Sequence, residues 1–178
     1  MNYAEIKPVD IANGPGVRVS LFVSGCTHHC KGCFNEVTWE FNYGKPFTED
    51  TIKYIMDLMR PSYIKGITIL GGEPFEKENQ KSVLSLLEEI YRDKHLCNKS
   101  IWIFSGYTYE QLMANKPGGD KSDIGLILSY IDVLIDGPFI EEKKNLSLRF
   151  RGSENQRIID IKRTNFYNKV ILWEDPNA

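Results

Sequence analysis

Three of the four cysteines stand close together, in a segment that reads GCTHHCKGC over residues 25–33. Thiolates are good metal ligands, and their crowding into one short loop favours a metal centre over a disulfide framework. Residues 26 and 33 can lie roughly 24 Å apart in an extended chain, so the three sulfurs meet at one centre only if the loop turns tightly. Gly25 and Gly32 permit such turns. The candidate ligands are Cys26, Cys30 and Cys33.

Two kinds of metal centre remain open on this spacing alone. Three thiolates can hold an iron–sulfur cluster, and a four-iron cluster held in this way leaves one iron open to an outside ligand. Alternatively, the same cysteines could form a tetrahedral zinc site with His28, His29 or Cys97. Structural zinc usually draws two spaced pairs of ligands from two elements, and this sequence has no second pair.

The composition is that of a soluble globular protein with a substantial core. Of the 178 residues 42% are hydrophobic and 26% are charged, which excludes fibrous, collagenous and disordered classes. The net charge of -2 provides no overall positive field to attract nucleic acid or anionic membranes. The sequence lacks a signal-peptide core near Met1 and any long apolar run, and we therefore expect a cytoplasmic protein with no nucleic-acid or membrane partner.

The elements that must position the cysteine loop are short β-branched runs that alternate with amphipathic helices. Strands are predicted at residues 17–23, 67–70, 101–104, 133–135 and 158–161, with a weaker candidate at 170–173. Helices are predicted at residues 48–60, 76–92 and 124–130, and after Tyr107, where Thr108 and Gln111 have the spacing of a capping box.

This alternation predicts an α/β fold with a mainly parallel sheet. A closed eight-stranded barrel usually takes about 250 residues, so the length favours a partial, open β/α barrel or a small doubly wound sheet. No repeat or long linker interrupts the chain, and we expect a single domain over residues 1–178.

Four polar segments directly follow predicted strands: the cysteine loop and residues 71–74, 105–107 and 136–138. The carboxyl ends of parallel strands meet at one edge of a sheet, where ligands usually bind. We therefore expect these four segments to form one site. Cys97 precedes a strand instead, so it should lie at the opposite edge, where it is a poor fourth ligand.

At this point the sequence resembles a known family. The Cys-x3-Cys-x2-Cys spacing together with Gly-Gly-Glu-Pro at residues 71–74 is similar to the signature of radical S-adenosylmethionine enzymes. Residues 13–18 (NGPGVR) resemble the segment before the cysteine loop in activating enzymes of glycyl-radical proteins. Residues 150–157 (FRGSENQR) resemble a segment of the anaerobic ribonucleoside-triphosphate reductase activating proteins. The resemblance spans roughly residues 5–160.

The resemblance implies a [4Fe-4S] cluster on the three clustered cysteines, with S-adenosyl-L-methionine bound at the open iron. It implies cofactor contacts from Gly32, Cys33, Phe34, Gly71, Gly72, Glu73, Pro74, Ser105 and Asp136. Glu73 or a nearby carbonyl is expected to accept a hydrogen bond from the methionine ammonium. Ser105 and Asp136 could contact the methionine or ribose part, or could equally serve local turns.

The adenine contact departs from the pattern of many radical S-adenosylmethionine enzymes. Those enzymes have an aromatic residue just before the third cysteine, where this sequence has Gly32. We therefore expect the contact to come from the backbone or from a neighbour such as Phe34 or His29. The same spelling occurs in the reductase activators, so the family assignment is unaffected.

The function implied by the resemblance is an oxidoreductase that cleaves S-adenosylmethionine reductively and generates a glycyl radical on anaerobic ribonucleoside-triphosphate reductase. The implied partners are that reductase and a low-potential electron donor such as flavodoxin. Arg149, Arg151 and Arg157 are the expected docking charges. The alternatives are a small radical S-adenosylmethionine enzyme of the carboxy-deazaguanine synthase type, acting on a small molecule, and a zinc-stabilised binding module.

Overall fold

The computed structural model describes residues 1–175. Within them, seven strands form one open sheet: β1 (Asn2–Asp10), β2 (Val17–Val23), β3 (Lys45–Pro46), β4 (Ile64–Gly71), β5 (Ser100–Phe104), β6 (Val133–Asp136) and β7 (Arg157–Asp160). Their order across the sheet is β3-β1-β2-β4-β5-β6-β7. The four central strands β2, β4, β5 and β6 run parallel, whereas β1, β3 and β7 pair antiparallel at the two flanks. This mixed, open sheet confirms the predicted partial barrel.

Five α-helices in the described part of the chain connect or follow these strands: α1 (Glu49–Met59), α2 (Lys77–Arg92), α3 (Tyr109–Met113), α4 (Lys121–Tyr130) and α5 (Ile161–Tyr167). The predicted capping box before α3 is present, and Thr48 caps α1 with Thr51. None of the helices in residues 1–175 combines the length and the apolar composition that a membrane crossing requires.

The flanking elements differ from the sequence-based prediction. The segment NYAEIKPVD forms β1 although it lacks a clear alternation, because it pairs with β2 as an exposed flank. The predicted strand at 158–161 ends at Asp160, whose side chain accepts from the Arg163 amide and starts α5. The weak candidate at 170–173 contributes a single bridge, between Ile159 and Leu172.

The two faces of the sheet have different chemistry. Alternation along β2 places Val19 and Leu21 on the helix side, in one large hydrophobic core. On the other face, Trp102 packs with Phe150 and Trp173 in a smaller aromatic cluster. This second face is the concave side of the partial barrel.

Arg18 is fully buried on the concave side, and no carboxylate within residues 1–175 forms an ion pair with it. Its guanidinium donates to Thr68 Oγ1, to Ser100 Oγ, and to the carbonyls of Ile67, Ser100 and Pro15. Burial lowers the Arg18 pKa to about 10. These bonds tie the β1–β2 loop to β4 and β5 at the amino-terminal end of the parallel strands.

Candidate functional site

A cavity of about 420 Å³ lies at the carboxyl ends of the four parallel strands. Its walls come from each of the four polar segments expected there: the cysteine loop, the turn after β4, the turn after β5 and the turn after β6. Cys26, Cys30, Cys33, Gly72, Ser105 and Gly137 all line it. Cys97 lies outside it, exposed, before β5, as its position in the sequence predicts.

The cysteine loop is fixed by backbone bonds on both sides of its first cysteine. The Gly25 amide donates to the Thr38 carbonyl, and the Cys26 amide donates to the Trp39 carbonyl. Gly25 has φ +97°, and a Cβ there would lie 2.3 Å from the Phe41 ring. A side chain at residue 25 is thus excluded both by conformation and by packing.

Backbone amides point at each of the three sulfurs. Burial raises the pKa of the Cys26 thiol to about 12, and hydrogen bonds from the backbone of His28 and His29 act in the opposite direction. Burial also raises the pKa of Cys30, against a hydrogen bond from the Phe139 backbone. The Asn35 amide donates to Cys33 Sγ at 3.5 Å. Amides that donate to sulfur stabilise thiolate ligands and tune iron–sulfur clusters, so this donor set fits a cluster.

Glu73 is completely buried and its carboxylate is fully occupied by protein donors. Oε1 accepts from the Phe75 amide and from Ser105 Oγ. Oε2 accepts from the Gly106 amide at 2.7 Å and bonds His28 Nε2 at 3.0 Å. The carboxylate therefore links the cysteine loop to the turn after β5. Both oxygens of the carboxylate that is expected to bind the methionine ammonium thus already accept hydrogen bonds from the protein.

The two glycines before Glu73 pack against their own chain. A Cβ at Gly72 would lie 2.5 Å from the Gly25 carbonyl oxygen and 2.9 Å from that of Thr38. Gly71 has φ +108°, and a Cβ there would meet the Val23 backbone. Both glycines also line the cavity. They allow the turn after β4 to lie directly under the cysteine loop.

Ser105 and Asp136 serve local structure. Ser105 Oγ donates to Glu73 and accepts from the Tyr107 amide, as in the turn-capping alternative. Asp136 is 1% exposed and accepts from the Tyr109 amide and from the Arg157 guanidinium. Neither Asp136 nor the buried Pro74 is among the residues that line the cavity.

Gly32 and Phe34 lie at the mouth of the cavity. Gly32 has φ +73° and packs against Glu141, so its missing side chain suits the loop conformation. The Phe34 ring is 83% exposed although the residue lines the cavity. An aromatic ring in this position offers a flat surface for a planar ligand.

The two histidines of the loop pack against aromatic rings. The His28 ring meets Tyr107 edge-on, with ring centroids 4.3 Å apart, and a Cβ at Gly106 would collide with it. The His29 ring stacks on Trp39 at 4.5 Å. Through these contacts, both histidines hold the cysteine loop against neighbouring aromatic residues.

Most of the chain is similar in sequence to known proteins. Residues 12–159 match the family described as 4Fe-4S single cluster domain. The chain is 42% identical over 161 residues to an anaerobic ribonucleoside-triphosphate reductase-activating protein of Vibrio cholerae, covering 89% of this chain and 97% of that protein. The protein of the same name from Escherichia coli is 40% identical, over 91% and 100% of the two chains, and the one from Enterobacteria phage T4 is 38% identical, over 89% and 93%. The chain belongs to the family of anaerobic ribonucleoside-triphosphate reductase-activating proteins.

Residues 137–156 form a strap that covers one side of the cavity. Hydrogen bonds from residues 150–157, the segment that resembles the reductase activators, hold the two ends of this strap together. Gln156 Oε1 accepts from the Gly152 and Ser153 amides, while its Nε2 donates to the Gly137 carbonyl. Asn155 donates to the Pro138 carbonyl. The segment therefore fixes the two ends of the strap to each other.

The three arginines expected at a docking surface differ in position. Arg157 binds buried Asp136 and exposed Glu110, so its charge is committed to the fold. Arg151 lines the cavity and donates to the Gln156 carbonyl. Arg149 is exposed, pairs with Asp175 and lies over the Phe150 ring. Arg149 and Arg151 therefore lie on the strap, whereas Arg157 lies just beyond it, at the start of β7.

In residues 1–175, no three His, Cys, Asp or Glu side chains are grouped closely enough to hold one metal ion. The two kinds of metal centre differ in what they require of the thiols. Zinc takes all its donors at about 2.3 Å or less from one centre, whereas a four-iron cluster takes each thiolate on a different iron.

Two buried residues near the site are missing from the sequence-based predictions. Glu76 bonds Thr27 with one carboxylate oxygen, and Asn79 donates to the carbonyls of Ser24 and Glu73. Both lie at the start of α2, and their hydrogen bonds hold the residues on either side of Cys26 in place. Their polarity on the buried side of an amphipathic helix is the one sequence signal that could have indicated them.

Proposed function

We propose that this chain is a radical S-adenosylmethionine enzyme that generates a glycyl radical on an anaerobic ribonucleoside-triphosphate reductase. The observation that carries the proposal is the shared cavity: three free thiols and the Gly-Gly-Glu turn line one space at the carboxyl ends of the parallel strands. The names of the relatives supply the partner.

Cys26, Cys30 and Cys33 would hold a [4Fe-4S] cluster. With S-adenosylmethionine at its open iron, such a cluster supplies one-electron reductive chemistry that ends with a hydrogen atom removed from a glycine. The backbone amides directed at the sulfurs support this ligand set. The electron would come from a low-potential donor such as flavodoxin.

The protein residues orient S-adenosylmethionine within the cavity. Because the Glu73 carboxylate is saturated, we assign the methionine ammonium to a backbone carbonyl of the Gly71–Gly72 turn. Phe34 is the residue we assign to the adenine ring, because its ring lines the cavity and is exposed. Ser105 supports this geometry through Glu73 rather than by contact with the ligand.

The glycine substrate has to reach the cavity from outside. A hydrogen atom is transferred only across a few ångströms, so docking of the reductase must supply the proximity. The sheet is open between its flanking strands, and the strap forms one wall of the entrance. Arg149 and Arg151 on the strap are the charges we assign to docking, and rim charges mainly affect the rate of association.

The decisive experiment combines anaerobic incubation with electron paramagnetic resonance. Reduced, cluster-loaded protein is mixed with S-adenosylmethionine and the reductase, and a glycyl-radical signal is expected. Cys30→Ala should give no signal, and Cys97→Ala should match wild type. If wild type gives no glycyl radical on any anaerobic reductase but converts a small metabolite, the small-molecule alternative replaces this proposal.

Docking is tested on the strap. Arg149→Glu should cleave S-adenosylmethionine with an artificial reductant at the wild-type rate. Because Arg151 lines the cavity, glycyl-radical formation by Arg151→Glu is compared with the cleavage rate of that same variant. Both variants should form glycyl radical several-fold more slowly, especially at high salt, where steering by the remaining charges is screened. Exposed Lys53 on α1 is a matched control position, because Lys53→Glu changes charge away from the cavity. Equal losses in all three variants would contradict docking through the strap.

A further inference from the structure

Glu76 occupies the N-cap position of α2 but does not cap that helix. Its side chain instead turns towards the cysteine loop, where Oε1 accepts from the Thr27 amide at 2.8 Å and from the Thr27 hydroxyl at 2.6 Å. The amide belongs to the peptide bond between Cys26 and Thr27. A carboxylate therefore lies one hydrogen bond away from the first proposed cluster ligand.

The carboxylate of Glu76 is buried between the cysteine loop and a helix N-terminus. The residue is 5% exposed, accepts two hydrogen bonds on one oxygen, and stands at the positive end of a 16-residue helix. Three residues earlier, fully buried Glu73 bonds His28, the next residue of the same loop. Among the described residues, neither carboxylate forms an ion pair with a lysine or an arginine.

We propose that Glu76 is a positioning residue that lowers the reduction potential of the cluster by holding a buried negative charge behind Cys26. The proposal rests on the proposed function, since it requires a cluster on the three cysteines. One-electron reduction adds a negative charge to the cluster, and a nearby carboxylate in a poorly screened environment opposes it. Net charge close to an iron–sulfur cluster is one of the determinants of its potential. A lower potential makes the reduced cluster a stronger reductant for a sulfonium.

The test is a potentiometric titration of the loaded protein, monitored by electron paramagnetic resonance of the reduced cluster. Glu76→Gln keeps an acceptor oxygen for Thr27 and removes the charge, so its midpoint potential should rise above that of wild type. Glu76→Asp keeps the charge and should stay nearer to the wild-type value than Glu76→Gln. Glu78→Gln is the matched control, because Glu78 is exposed in the first turn of the same helix and is screened by solvent.

Iron content is measured on every variant and distinguishes the outcomes. A raised potential in Glu76→Gln with full iron, and none in Glu78→Gln, is the expected result. If Glu76→Gln keeps its iron without a shift, or shifts no more than Glu78→Gln, the inference is wrong. If Glu76→Gln loses its iron, the residue is a structural anchor only and the inference also fails. Failure of wild type itself to take up a cluster would overturn the proposed function.

Discussion

The two sides of the cavity hold buried acids in opposite ways. On the cysteine side, Glu73 and Glu76 bond to amides, hydroxyls and one histidine nitrogen. On the strap side, Asp136 binds the Arg157 guanidinium, which also binds Glu110. Among the described residues, Glu73 and Glu76 have no lysine or arginine partner, whereas Asp136 is paired with a guanidinium that neutralises it. Acids of similar burial therefore serve the site on one side and the fold on the other.

Removal of one of the three clustered thiols should have the largest effect on the cysteine side of the cavity. Cys26→Ala, Cys30→Ala and Cys33→Ala should each abolish cluster binding, because three thiolates are the smallest set that holds it. Cys97→Ala should keep full iron, since Cys97 is exposed at the opposite end of the strands. Iron and sulfide analysis with visible absorption of anaerobically loaded protein measures both. Loss of the cluster in Cys97→Ala would contradict the three-cysteine site.

A methyl group under the cysteine loop should have the next largest effect. In Gly72→Ala the new Cβ would lie 2.5 Å from the Gly25 carbonyl oxygen, so the loop must move away. We expect overpacking to lower the free energy of unfolding by about 1–3 kcal/mol. We also expect the variant to lose most of its bound iron.

Gly125 in α4 is the matched glycine, because a Cβ there meets no atom within 4 Å. Gly125→Ala should keep its iron and gain up to about 1 kcal/mol from helix propensity. Both variants are followed by urea unfolding and iron content. Full iron in Gly72→Ala would show that the loop tolerates displacement.

Loss of the Arg157–Asp136 ion pair on the strap side should lower the free energy of unfolding but leave cluster binding intact. Arg157→Gln removes the guanidinium from Asp136, which is 1% exposed and whose remaining donor among residues 1–175 is the Tyr109 amide. We expect a loss of about 3 kcal/mol, at the low end for a broken buried pair because the Arg157 side chain is one-third exposed. Urea unfolding measures it. If folded Arg157→Gln contains less iron than wild type, the strap side of the cavity affects cluster binding on the cysteine side, and this prediction is wrong.

The smallest effect should appear in the pH dependence of the same network. The hydrogen bond from Arg157 lowers the Glu110 pKa to about 2, from an ordinary value of 4.5. The depressed pKa means that ionised Glu110 stabilises the fold above about pH 4.5 and that this contribution disappears as the pH falls towards 2. Because Glu110 is largely exposed, its contribution should be below about 1 kcal/mol.

The measurement compares unfolding free energies of wild type and Glu110→Gln in urea. The difference should be present in full at pH 6 and should shrink at pH 3. A difference that grows as the pH falls would reverse the assigned sign.

Much of the parallel sheet could be predicted from the sequence because its strands are buried on both faces. Runs such as VRVSLFV and ITIL are β-branched and apolar, and Thr48 and Thr108 mark helix starts by local capping chemistry. β1 could not be predicted, because a flanking strand half exposed to solvent shows no clear alternation. The start of α5 could not be predicted, because Asp160 is both the last residue of β7 and the N-cap of α5.

The site was predictable where its residues are local and unpredictable where they are not. The close spacing of Cys26, Cys30 and Cys33 predicts a metal centre, and the structure brings the three residues to one cavity. The partners of Glu73 come from residues 28, 105 and 106, and no local pattern indicates that they saturate it. Arg157 likewise meets Asp136 only because β7 pairs antiparallel with β6.

Arg18 constrains how the chain can mature during synthesis. Its guanidinium needs acceptors from residues 67, 68 and 100, the last of them 82 positions downstream. Until Ser100 has left the ribosome, the Arg18 guanidinium lacks the acceptors that Ser100 provides and must stay partly hydrated, so the β1–β2 hairpin cannot complete its packing in the sheet. The cysteine loop, which follows that hairpin, therefore reaches its final position only after β4 and β5 have been made. A nascent chain arrested before that point would expose the three thiols without a cavity to receive a cluster.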